Sequence, residues 1–129
     1  MLFRSAMRFM GATFDPSALY RFNAIQRMLK ENGLSTARIA ARVANLQAQL
    51  IDGISGSALD KAELLNPLDG RPHARFLAFR HPYAQRWCAE LDDQCIVTDV
   101  RGEVLRIGFG LYHDEEDVDA LVAVARGLS

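Results

Sequence analysis

From Leu105 to Gly110 the chain alternates strictly: Leu105, Ile107 and Phe109 interleave with Arg106, Gly108 and Gly110. A period of two belongs to a strand with two unlike faces. One face is apolar and packs on helices. The other carries a guanidinium followed, two and four residues on, by glycines. Upstream, Gln94 to Arg101 reads as the partner strand of a hairpin that turns at Gly102. Downstream, Asp114 is a good N-cap, and Val118, Leu121, Val122 and Ala125 repeat at helical spacing. Acidic residues crowd the first turn of that helix and Arg126 falls in its last, as the helix dipole prefers.

The rest of the chain supplies more helices and one more strand. Asp15-Pro16-Ser17 reads as an N-cap with proline at the first helical position. Leu19, Phe22, Gln26 and Leu29 mark a stripe that Asn32-Gly33 ends. Ser35 caps a second helix with Ile39, Val43, Leu46 and Leu50 on one face. Both stripes read as core or dimer packing. Residues 55–71 are polar and contain Gly56, Pro67 and Gly70, so they read as a linker with one turn around Lys61 to Leu65. Ala74 to Phe79 is a strand, and His81-Pro82 opens a helix that buries Tyr83, Trp87 and Leu91. There are no internal repeats. Two helices followed by β-α-β-β-α predict an α+β fold, a small, mostly antiparallel sheet packed on helices.

Composition narrows the function classes. A length of 129 residues suits a single domain, 1–129, with one modest core. A net charge of -1, with scattered arginines, offers no footprint for nucleic acid or a membrane surface. No stretch approaches a transmembrane helix, and the first ten residues lack the apolar core of a secretory signal. The two cysteines, Cys88 and Cys95, form no disulfide framework and no zinc pattern with the dispersed His73, His81 and His113. They read as reduced thiols in the core of a cytoplasmic protein.

Arg106 is the residue whose setting points to chemistry. Glycine inside a strand often marks close approach by a ligand. A planar guanidinium beside open space suits a carboxylate held by two hydrogen bonds. The plainer alternative is an arginine on a solvated face, paired with Asp99 or Glu103; Arg101 at the hairpin has the same default. Gly108-Phe109-Gly110 is too short for a phosphate loop. The acidic run from Glu115 to Asp119 lacks the glycine and spaced oxygens of a calcium loop.

Three segments, Leu105-Arg106-Ile107-Gly108, Leu111-Tyr112-His113-Asp114 and Glu116-Asp117-Val118-Asp119, resemble the last segment of class V aminotransferase-like pyridoxal-phosphate enzymes, which include kynureninases, selenocysteine lyases and cysteine desulfurases. Near the start, Arg8-Phe9-Met10-Gly11-Ala12-Thr13 resembles the family's Arg-Phe, spacer, Gly-Thr pattern, with Ala12 inserted. The resemblance runs from Arg8 to Leu128. It implies that Arg106 binds the substrate carboxylate and that Thr13 is a cofactor ligand, contacting the pyridoxal phosphate group of a neighbouring subunit. Thr13 also reads simply as a loop residue leading into a helix cap.

The departures from that family shape the functional expectation. Its members run to several hundred residues and carry a large domain that supplies the Schiff-base lysine. Here the only lysines are Lys30 and Lys61, both in polar contexts unlike the family's lysine segment. Cysteine desulfurases carry a nucleophilic cysteine in a longer loop before the arginine strand. Here the turn is only Gly102-Glu103-Val104, closer to the kynureninase-like branch. The expectation is the small-domain portion of an enzyme acting on an amino acid, binding no pyridoxal phosphate by itself and inactive alone. It would be a truncated product or the partner of a separately encoded large domain, and a homo-oligomer. The alternative is a stand-alone carboxylate-binding or dimerisation module.

Overall fold

The computed structural model describes residues 15–129, which fall into two units divided between Ser35 and Thr36. The first contains helix α1 (Ser17–Glu31). Asp15 Oδ1 accepts the Ser17 backbone N–H at 2.9 Å and the Ser17 hydroxyl at 2.6 Å, so the acid caps the helix two residues ahead of it. Pro16 occupies the N-cap position itself, one residue before its predicted place. At the far end Gly33 takes the left-handed conformation, φ 63°, and the Leu34 N–H returns to the Leu29 carbonyl at 2.8 Å. The apolar residues of α1 are on the surface: Leu19, Phe22, Ile25 and Met28 are all exposed.

The second unit is a four-stranded antiparallel sheet with three helices. In chain order it runs α2 (Thr36–Gly53), a 3₁₀ turn (Leu59–Lys61), β1 (Glu63–Leu64), β2 (Phe76–Arg80), α3 (Ala84–Asp92), β3 (Asp99–Arg101), β4 (Val104–Gly108) and α4 (Glu115–Ala125). The strand order is β1-β2-β4-β3. With α1, this is the predicted α+β class, extended by one short edge strand. The stretch read as a linker contains β1, and Leu59 in its 3₁₀ turn is fully buried. Two residues are too few to display a period of two, which is why the pattern missed this strand. Asn66 continues the edge where β1 stops: its side chain accepts the Ala78 N–H at 2.9 Å and donates to the Phe76 carbonyl at 2.8 Å.

The central pair, β2 and β4, sets the two faces. Leu77 lies opposite Ile107 and Phe79 opposite Leu105, and all four are buried. The α2 stripe, Ile39, Val43, Leu46 and Leu50, is buried as the spacing predicts. Gln47, also buried, donates from Nε2 to the Ala74 carbonyl at 2.9 Å, which satisfies its amide N–H₂. α4 crosses α2 closely: a Cβ on Gly53 would stand 2.6 Å from Val122 Cγ2. On α3, Trp87 and Leu91 are buried, but Tyr83 is 51% exposed because it occupies the N-cap, off the core face. The His81 ring stacks on Trp87 at 4.3 Å and closes that end of the core.

The N-cap predicted at Asp114 is present, and the structure completes it as a capping box with Asp117 as the reciprocal partner, both hydrogen bonds at 3.0 Å. The cysteines are free, as expected, but they are not both in the core: Cys88 is half-buried and Cys95 exposed. Cys95 sits at φ 61°, in the tight turn that returns the chain from α3 toward β3.

Candidate functional site

Alternation along β4 puts Arg106 on the face opposite Leu105 and Ile107. In its cross-strand row stand Ala78 on one side and Asp99 on the other. Alanine leaves the guanidinium room, and Asp99 gives it a counter-charge. The guanidinium carbon lies 4.7 Å from the centroid of the Phe76 ring, within cation–π range. Asp99 Oδ2 is 3.5 Å from Arg106 Nη1 and 3.2 Å from Arg101 Nε. The Arg101 contact is a hydrogen bond, whereas the Arg106 contact is long for one. Asp99 therefore serves both arginines, as the plainer sequence reading anticipated. Arg106 Nε is buried with no acceptor among the described residues. A buried donor without a partner is uncommon and unfavourable.

Arg106 opens into a cleft of about 950 Å³, walled by Phe76, Cys95, Asp99, Tyr112 and His113, with α4 at its apolar end. Gly108 contributes space: a Cβ there would meet nothing within 4 Å. β4 ends at Gly108, before the predicted Gly110. A Cβ on Gly110 would lie 2.6 Å from the Tyr112 ring, so glycine lets that ring fold back across the loop.

Hydrogen bonds hold the loop from Phe109 to Asp114 in place. His113 Nδ1 accepts the Gly110 N–H at 2.8 Å, which puts the proton of the neutral ring on Nε2. Arg42 of α2 donates to the His113 carbonyl at 3.1 Å and pairs with Glu115 at 3.2 Å. A backbone N–H at its own position, and then the Arg42 guanidinium, hold the Glu115 carboxyl below the usual carboxylate range. Arg42 and His113 position this wall of the cleft. Local pattern carries no sign of the Arg42 contacts, because its partners lie more than seventy residues away.

Thr13 lies outside the described residues. Lys30 is on α1, in the first unit; Lys61, the only lysine of the second, is on the 3₁₀ turn and does not line the cleft. Among the described residues no group of His, Cys, Asp and Glu is arranged to hold a metal ion, and no helix is long and apolar enough to cross a membrane.

Comparison with known proteins agrees with the fold. The family model of the kynureninase C-terminal domain matches residues 39–125, more than half of the chain. Among solved structures, the chain is similar to an apo cysteine desulfurase from Thermococcus onnurineus NA1, with 21% identity and a TM-score of 0.64 over 79% of this chain and 29% of that one. It is also similar to a NifS-like protein, with 18% identity and a TM-score of 0.58 over 68% of this chain and 27% of that one. At these identities the likeness is one of fold. The chain spans less than a third of the length of either structure. No curated protein matches. Taken with the shared fold, the family match shows that this chain belongs to the kynureninase C-terminal domain family, the small C-terminal domain of class V aminotransferase-like enzymes.

Proposed function

We propose that this chain is the substrate-carboxylate half of a pyridoxal-phosphate-dependent enzyme that acts on an amino acid, with Arg106 as the group that holds the carboxylate. One observation carries the reading: an arginine on a central strand, with a buried unsatisfied Nε, faces a cleft kept open by Gly108. A guanidinium anchored in a strand and braced by the Phe76 ring is held in orientation, so little ordering cost remains when a planar carboxylate docks.

The lining of the cleft does not fit covalently held pyridoxal phosphate by itself. Covalent attachment needs a lysine amine at the cleft, and Lys61, the only lysine of the second unit, does not line it. The cofactor's chemistry therefore belongs to a large domain, in the same polypeptide or in a separate one, and this chain binds and orients. The exposed α1 residues Leu19, Phe22, Ile25 and Met28 support a further role in association, with that domain or with a second copy.

The test is a titration of the purified chain with acetate, followed by ¹⁵N NMR of the arginine Nε–H signals. A single charge-assisted pair near solvent contributes about 1–3 kcal/mol, so affinity should be in the millimolar range or weaker. Arg106→Lys should keep the thermal midpoint and lose the binding, because lysine keeps the charge without the planar fork. A variant that unfolds while other arginines continue to report acetate would make Arg106 structural and end this reading.

A further inference from the structure

Asp99 stands where an incoming carboxylate would bind. Its Oδ2 faces Arg106 Nη1 at 3.5 Å, beyond ordinary hydrogen-bond length, while Arg101 Nε holds the same oxygen at 3.2 Å. Asp99 is half-exposed, at 46% of its side chain, so packing does not lock the acid in place. Arg106 meanwhile keeps an unsatisfied Nε. A carboxylate free to close on Arg106 would shorten that contact, but here the neighbouring arginine holds it back.

We propose that Asp99 is a displaceable internal ligand of Arg106, restrained by Arg101, and that this three-residue arrangement sets the affinity of the cleft for carboxylates. The proposal rests on the reading of Arg106 as the carboxylate anchor. When an external carboxylate docks, Asp99 gives up its contact with Arg106 and keeps the hydrogen bond to Arg101. Asp99 acts as a competitor and Arg101 as a positioning residue that works through Asp99. The opposed charges follow from the register: Asp99 lies across from Arg106, and Arg101 is two residues along β3 on the same face.

The experiment is the same acetate titration, run on the full chain and on Asp99→Asn, Arg101→Gln, the double variant and Glu103→Gln. Glu103 is an exposed carboxylate of the same hairpin and controls for net charge. Asp99→Asn should tighten acetate binding roughly two- to fivefold, the range that an exposed ion pair supports. Arg101→Gln should weaken it by a similar factor, and should have no effect in the Asp99→Asn background. Glu103→Gln should leave binding unchanged. Thermal melts check folding, and Asp99→Ser replaces Asp99→Asn if the latter does not fold.

Equal tightening by Glu103→Gln would reduce the effect to net charge and overturn the proposal. Loss of affinity in Asp99→Asn, or an Arg101→Gln penalty that persists in the double variant, would overturn it too. In each of those cases abolition by Arg106→Lys would leave the Arg106 reading standing. Absence of binding in both the unaltered chain and Asp99→Asn would remove both.

Discussion

Replacing Gly108 with valine separates the needs of folding from the needs of the cleft. Gly108 is the last residue of β4, opposite Phe76, and its φ is not positive, so an L side chain fits the backbone. A Cβ there meets nothing within 4 Å, so no overpacking term arises. Glycine in a strand costs roughly 0.5–1 kcal/mol relative to alanine, and β-branched residues suit a pleated surface better still. The gain applies at a strand end, so about 0.5 kcal/mol is a fair expectation, a rise of roughly 2–4 °C in the melting midpoint of a domain of this size. The new side chain would stand on the Arg106 face and fill the space beside the guanidinium. Circular dichroism melts and the acetate titration read the two effects on one sample. The expected result is a more stable protein that binds acetate several-fold more weakly. A fall in the midpoint of several degrees would mean that the space is occupied. An unchanged affinity would mean that Gly108 does not border the binding position, and the use of this glycine as a marker of the site would be wrong.

Two further outcomes follow from the contacts between α2 and α4. Gly53→Ala should destabilise by about 1 kcal/mol: the helix gains at most about 1 kcal/mol, whereas a methyl 2.6 Å from Val122 Cγ2 adds overpacking of roughly 1–3 kcal/mol against a stiff β-branched side chain. Combining it with Val122→Ala should remove most of that penalty in a double-mutant cycle by urea unfolding, and full additivity would place the cost elsewhere. The Glu115 carboxyl is held below its ordinary range, so its contribution to stability is complete above that range and is lost as pH falls through the lowered value. Arg42→Gln should flatten the acid side of the urea midpoint plotted against pH, and a curve identical to that of the unaltered chain would show that the pair is uncoupled from folding.

The period of two at Leu105 to Phe109 and the capped stripe from Asp114 to Ala125 were enough to place β4, α4 and the strand face of Arg106, because strand alternation and helix capping are local and repeat along the chain. The α2 stripe was legible for the same reason, and α4 is the helix it packs against. What local pattern left open was partnership. It offered Asp99 and Glu103 as equal neighbours of Arg106, and only the antiparallel register put Asp99 across from the guanidinium. It placed Tyr83 and both cysteines in the core, while the start of α3 and the turn after it expose Tyr83 and Cys95. It passed over β1, which exists because β2 offers an edge to pair with, and it contained no sign that Arg42 would tie α2 to the loop at His113. A side chain's direction is written in its neighbours along the chain; the group it meets there depends on how distant segments are brought together in the folded chain.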